Sequence, residues 1–339
     1  MNWLEKRWYS DKSAPGWLLP FECIYRRLSK RISDKAKQDS WQADVPVIVV
    51  GNINVGGTGK TPLAITLISL FKQWGYKPGI ISRGYKSSAP EYPYMIHQDS
   101  SVTEAGDEPY LLFHRCECPV VIDPDRTSAA RLMLEETDCD LIISDDGLQH
   151  YKLGRDVEIV VVDGQRGLGN HHCLPAGPLR EGIERLESVD YIISNGPLIK
   201  PLETSNPSRF EMVLEPLQFQ NCSDVSETRS LEAFKGQTVH GVAGIGNPDR
   251  FFKALKQHAG VDVIPHAMPD HHKFSIENIS FNDDLPIIMT EKDAVKIKEI
   301  AGDEHWYLEV SAVLPDNFVS KLREKLETVK EHKGILKNG

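Results

Sequence analysis

Residues 45–71 read VPVIVVGNINVGGTGKTPLAITLISLF. Val45 to Val50 is an apolar, β-branched run without alternation, the pattern of a strand buried on both faces of a parallel sheet. A glycine-rich turn follows, then Gly59-Lys60-Thr61, and Leu63, Leu67, Leu70 and Phe71 recur at helical spacing. Strand, glycine loop, Lys-Thr and helix together read as a phosphate-binding P-loop. Gly56, Gly57 and Gly59 let backbone N–H groups of residues Asn54, Val55 and Thr58 onward converge on phosphate oxygens, and the helix N-terminus adds its positive field. Lys60 is placed to reach the β- and γ-phosphates and Thr61 to ligate Mg²⁺. Asn54 stands where the strict pattern has glycine. The competing reading, an ordinary strand-to-helix turn, leaves the flanking strand, the flanking helix and Gly-Lys-Thr as coincidences.

From this loop onward, strands alternate with helices over roughly 150 residues. Residues 77–82, 92–97, 119–123, 140–145, 157–163 and 191–195 read as strands, and 110–115 and 126–136 as helices. The fold expected is α/β, a P-loop NTPase-like, doubly wound and mainly parallel sheet. The three prolines of 197–208 (PLIKPLETSNPS) mark a boundary, so the expected organisation is a basic aromatic segment at 1–44, a core domain at 45–205 and a smaller α/β domain at 206–339. In the last, strands are expected near 209–218, 238–243, 261–265, 285–289 and 306–310, and helices near 248–258 and 317–331.

The 339 residues are 40% apolar and 26% charged, a soluble globular composition, with a net charge of −10 that argues against a nucleic-acid-binding surface. The six cysteines are scattered and read as reduced thiols. With neither a secretory signal nor a membrane-spanning run, the expected location is the cytoplasm. Residues 1–44 combine Trp3, Trp8, Trp17, Phe21, Ile24 and Leu28 with Lys6, Lys12, Arg26, Arg27, Lys30 and Arg31. Such a segment suits an anionic membrane surface, or a helix docked on the protein body with its basic face in water.

Four further clusters carry chemistry. Asp145-Asp146, at the end of an apolar strand, fits the acidic group that holds Mg²⁺, with Asp163 as a rival. Asp107-Glu108 lies at a turn near the C-terminal sheet edge, where ligands bind; it reads equally as a base accepting a hydroxyl proton and as a helix N-terminal acid. In Asp270-His271-His272, adjacent side chains diverge, so one histidine oriented by a carboxylate is the better reading; His171-His172 is a weaker pair. Thr290-Glu291-Lys292-Asp293 has the wrong order for a guanine-reading motif and gives no support for GTP over ATP.

In order along the chain, VVGN (49–52), GGTGKTP (56–62), SRGY (82–85), GDEP (106–109), DDGLQH (145–150), LPAGPLRE (174–181), PDHH (269–272) and TEKDAVK (290–296) resemble the tetraacyldisaccharide 4′-kinase family, the lipid A 4′-kinases of Gram-negative bacteria. The resemblance implies ATP- and Mg²⁺-dependent phosphorylation of the 4′-hydroxyl of a lipid-linked disaccharide 1-phosphate at the cytoplasmic face of the inner membrane, by a peripheral enzyme with no obligate protein partner. It implies Asp107 as base assisted by His271, Lys60 on the phosphates, and Thr61, Asp146, Gln149 and Glu181 around Mg²⁺. Arg83, Arg126 and Arg180 are then suited to the substrate's phosphate. The rivals are a nucleotide-switched membrane-binding ATPase or GTPase, whose loop commonly has lysine where this chain has Val55, and a small-molecule kinase or ligase of the same fold.

Overall fold

A computed structural model describes residues 3–10 and 13–338; Lys12 lies outside the described residues. Two helices, α1 (Trp3–Trp8) and α2 (Leu19–Gln38), precede the sheet. The core then runs β1 (Val47–Gly51), α3 (Lys60–Gln73), β2 (Pro78–Ser82), β3 (Tyr94–Met95), α4 (Val102–Ala105), α5 (Asp107–Cys116), β4 (Val120–Ile122), α6 (Arg126–Glu136), β5 (Leu141–Asp145), β6 (Val157–Asp163) and β7 (Tyr191–Asn195). The second half contributes β8 (Arg209–Asn221), β9 (Thr228–Arg229), β10 (Thr238–Ala243), α7 (Pro248–Ala254), β11 (Asp262–Ala267), α8 (Ile276–Ile279), β12 (Ile287–Thr290), α9 (Glu291–Ala294), β13 (His305–Val313) and α10 (Asp316–Asn338).

β1 is buried along its whole length and pairs in parallel with β5 on one side and β6 on the other. A strand flanked on both edges and both faces has no polar face, which is why its sequence is continuously apolar. α3 covers it with Leu63, Leu67, Ile68 and Phe71. At the periphery, the strand expected over 92–97 shrinks to the two-residue β3, which pairs antiparallel with β4. The helix expected from 110 begins at Asp107, so the two acids occupy its first turn, where the helix dipole favours negative charge.

The strand path is β11-β10-β12-β13-β8-β7-β6-β1-β5-β2-β4-β3, with β9 hydrogen-bonded to β8. β8 joins the two halves: Arg209 to Met212 lie parallel to β7, and from Val213 onward the strand runs antiparallel to β13. After β13 the chain returns to the first half, where Phe318, Leu322 and Leu326 of α10 join the cluster formed by β1, α3 and β6. Further contacts bind the halves together. Arg115 of α5 pairs with Glu291 of α9 (Nε–Oε1 3.1 Å) and with Glu309 of β13, and Arg250 of α7 reaches Asp163 Oδ1 at 3.1 Å.

Phe318→Ala removes a fully buried ring shared between α10 and the core, and is expected to cost about 3–5 kcal/mol in denaturant unfolding. A loss below about 1 kcal/mol would mean that α10 does not belong to this core.

Candidate active site

The glycine loop has the backbone its sequence requires. Gly56 and Gly59 both have φ of +97°, and a Cβ on Gly59 would lie 2.3 Å from Asn195 Nδ2. That amide donates to the Thr58 carbonyl at 3.0 Å, so strand β7 pins the loop from outside. Asn54 has a structural task where the strict motif has glycine: its Nδ2 donates to the Gly167 carbonyl at 3.0 Å. Val55 N–H donates to Pro178 O and Arg180 N–H to Ile53 O, so the glycine- and proline-rich segment 164–182 is laced to the P-loop. Gly57 faces the second half of the chain; a Cβ on Gly246 would come 2.9 Å from its backbone nitrogen.

At the mouth of β5 the two aspartates have different environments. Asp146 is ion-paired to Lys60 (3.3 Å) and Arg180 (3.0 Å); burial resists its charge, but Lys60 and Arg180 hold the carboxyl well below the ordinary range. Asp145 is 1% exposed, and neither of its oxygens has a hydrogen-bond partner among the described residues. Burial, then the field of Glu108, pushes its carboxyl up to about 7 against the pull of Lys60. A buried carboxylate without partners is costly unless a cation completes it, so Asp145 has the donor chemistry of a metal ligand. Asp163 accepts from Gln165 N–H, Arg166 N–H and Arg250, and is thereby already satisfied.

Gln149 and Glu181 meet beside this pair: Gln149 Nε2 donates to Glu181 Oε2 at 2.8 Å and to Asn52 O at 3.2 Å, and Tyr151 donates to the other Glu181 oxygen. Lys60, Asp146, Gln149, Arg180 and Glu181 therefore form one network. Arg83 is exposed beyond the end of β2. Arg126 is 1% exposed and donates to Asp123 O at 2.8 Å, while its Nε and other terminal nitrogen have no partner among the described residues. Burial, followed by the fields of Arg126 and Arg83, pushes His150 down to about 4 and keeps it uncharged at neutral pH.

The third cluster joins the two halves. His271, with φ of +57°, places Nδ1 3.2 Å from Asp107 Oδ2, and its ring meets Tyr85 edge-on at 4.9 Å. Burial would raise the Asp107 carboxyl, but His271 and the nearby Lys296 outweigh it and hold the group below its ordinary value. His272 diverges, with Nε2 3.1 Å from Asn278 Oδ1. His171 and His172 take no part here; they lie beside Glu203 (3.6 Å) and Glu22 (2.7 Å).

Lys292 and Lys296, which sequence reasoning did not assign to the site, complete this cluster. Lys292 Nζ lies 2.8 Å from Glu108 and 3.1 Å from Asp270, and Lys296 Nζ 3.6 Å from Asp107. Their signal was the segment TEKDAVK. Among the described residues, no group of three or more His, Cys, Asp or Glu side chains is arranged to hold a metal by itself. A cation here therefore needs oxygens from other groups, such as a hydroxyl, a nucleotide or water. The arrangement suits phosphoryl transfer: an anion cradle, a cationic lysine, a cation-seeking carboxylate and an ionised carboxylate held by a histidine.

The family model for tetraacyldisaccharide-1-P 4′-kinase matches residues 15–327. The protein named tetraacyldisaccharide 4′-kinase in Hahella chejuensis is 43% identical over 341 residues, covering 98% of each chain. Its namesake in Pseudomonas syringae pv. syringae is 45% identical over 325 residues, covering 94% of this chain and 96% of that one. The crystal structure of LpxK from Aquifex aeolicus in complex with ATP is similar with a TM-score of 0.76 and 29% identity, covering 92% of this chain and 98% of that one.

Because Asp145 titrates near 7, its ionisation burdens the metal-free fold as pH rises from the ordinary carboxylate range through 7, and not below. In a metal chelator, Asp145→Asn is expected to raise the melting temperature at pH 8, by roughly 1–2 °C for each kcal/mol relieved, with the gain vanishing toward pH 4. A gain that is the same at both pH values would show that the carboxylate is not under this strain.

Proposed function

The chain belongs to the tetraacyldisaccharide 4′-kinase family, and from that premise we infer how its residues divide the work. It is a kinase that uses ATP to phosphorylate the 4′-hydroxyl of tetraacyldisaccharide 1-phosphate in lipid A synthesis. The observation that carries this division of roles is the Asp107–His271 contact at 3.2 Å, in a structure where Gly246 also abuts the P-loop.

The loop amides of residues 54–59 and Lys60 hold the β- and γ-phosphates and stabilise the charge that spreads over the transferred group. Asp107 accepts the proton of the 4′-hydroxyl as that oxygen bonds to the γ-phosphorus. The bond from phosphorus to the β–γ bridging oxygen breaks, and ADP leaves. Because Asp107 is held below its ordinary value, it is ionised and ready at neutral pH. His271 orients it and shares in stabilising the charge.

The partnerless oxygens of Asp145 fit a magnesium ion, which Thr61 and Asp145 would hold first, with Asp146, Gln149 and Glu181 around them. When bound, Mg²⁺ neutralises phosphate charge and fixes the phosphate chain. Arg83 and Arg126 supply donors for the phosphate of the lipid substrate, and Arg180 reaches it by releasing Asp146. Closure of the second domain over the first brings His271 to Asp107 and excludes water, which limits hydrolysis of ATP.

The N-terminal segment supports a peripheral place on the cytoplasmic face of the inner membrane. Trp17, Phe21, Ile24, Leu28 and Ile32 are 53–70% exposed, and from Phe21 on they share one helical face. Arg27, Arg31 and Lys35 flank them, an arrangement for insertion among anionic headgroups. α2 is anchored on its other side: Glu22 accepts from Cys173 N–H at 2.8 Å and Tyr25 donates to Arg180 O at 2.9 Å. No described helix is long and apolar enough to cross a membrane.

With labelled γ-phosphate and purified disaccharide 1-phosphate lipid in micelles, Lys60→Ala and Asp107→Ala are each expected to lose about 10²–10⁴-fold in transfer. ATP consumption by the wild type without labelled lipid would instead favour a nucleotide switch. Separately, Ile24→Asp with Leu28→Asp is expected to abolish sedimentation with anionic vesicles while leaving ATP affinity within about twofold; undiminished vesicle binding would remove α2 from the membrane contact.

A further inference from the structure

The segment TEKDAVK is built rigidly for a purpose that nucleotide binding does not account for. Asp293 is fully buried and accepts from Gly244 N–H at 2.7 Å, from the Thr290 hydroxyl at 2.6 Å and from Lys296 Nζ at 2.7 Å. Lys296 is thereby fixed at 7% side-chain exposure, also 3.4 Å from His272 O and 5.2 Å from the centre of the Phe274 ring. From that mounting its ammonium faces Asp107 Oδ2 at 3.6 Å. Lys292, at the start of the same segment, is fixed by Glu108 and Asp270 and lies 3.4 Å from His271 Nε2.

An ammonium has only donors. A ring nitrogen facing Lys292 must therefore be the acceptor, which places the imidazole proton on Nδ1, pointing at Asp107 Oδ2. Both His271 and Lys296 contact Oδ2 of Asp107, leaving Oδ1 as the oxygen for an incoming hydroxyl. The groups facing the pair are Lys292, Lys296, Asp270 (3.9 Å from His271 Nε2) and the Tyr85 ring, with Glu108 reached through Lys292.

We propose that Lys292 and Lys296 are positioning residues for the proton-accepting pair: Lys296 keeps Asp107 an anion in a half-buried site, and Lys292 fixes the His271 ring with Nδ1–H toward Asp107. This rests on Asp107 being the base. It adds a division of labour in which the second half of the chain delivers the electrostatic setting of the base as well as a histidine. Opening the two halves then switches the base off by withdrawing three groups at once.

The pH dependence of transfer between about pH 4 and 9 tests this, with ATP affinity as the check on folding. The wild type, with Asp107 held below its ordinary value, should lack an acid limb in this range. Lys296→Met should raise the Asp107 titration by about one pH unit or more and so bring a limb in at the acid end, with loss approaching tenfold per unit below it. Lys296→Arg, which keeps the charge, should restore the wild-type profile. Lys296→Gln, which keeps a donor for Asp293 without the charge, should behave as Lys296→Met and serves if that variant does not bind ATP. Nitrogen-15 NMR of His271 should show the Nδ1–H tautomer in the wild type and a mixture of the two tautomers in Lys292→Met. A loss in Lys296→Met that is equal at every pH, or an unchanged His271 tautomer in Lys292→Met, overturns the assignment of that lysine. Asp107→Asn separates the premise from the proposal: activity within about tenfold of wild type would remove the base itself, and both lysine roles with it.

Discussion

Asp107 and His271 are 164 positions apart in the chain and belong to different halves of the structure, yet their side chains meet at 3.2 Å. The architecture around them serves to make that contact reproducible. β8 runs from one sheet into the other, α10 returns from the second half to pack on the first, and Arg115 ties α5, which carries Asp107, to α9 and β13. In the proposed reading, a base assembled from two halves is complete only when they are together, which would commit phosphoryl transfer to the closed state, where water is excluded and charge–charge interactions are strong.

The charges at the site are arranged as pairs with distinct fates. Asp146 is already neutralised by Lys60 and Arg180, whereas Asp145 is buried beside it without partners. Two adjacent carboxylates are thus pushed in opposite directions, Asp146 down by its cationic partners and Asp145 up by burial. The same logic recurs at Asp107 and Glu108, each facing its own lysine from the second half. Like charges at such distances would repel strongly, so each acid needs its own counterion. The amphipathic helix α2 is tied into this system: Tyr25 holds the carbonyl of Arg180, whose guanidinium holds Asp146.

Much of this was legible in the sequence because local chemistry dictates it. The P-loop announces itself through glycines whose φ values other residues rarely adopt, and through a strand too apolar to be anything but central. The helix over 126–136 appears with the boundaries its spacing gave. Asn54 was visible as a departure, but its purpose depends on Gly167, far along the chain. The partition of β8 between two sheets has no compositional mark, since Met212 and Val213 fit either. Nor can a linear reading separate Asp145 from Asp146, because burial and partners are tertiary facts. Lys292 and Lys296 were passed over for the same reason: their meaning lies in the acids they face.

The most direct test of the assembled base is a double-mutant cycle between Asp107→Asn and His271→Ala, read in single-turnover transfer of the γ-phosphate to the lipid. If the two residues act as one unit across the closed halves, the double variant is no slower than the worse single variant, within about threefold. If the two losses multiply, the residues act independently, and the account of a base completed by closure is contradicted.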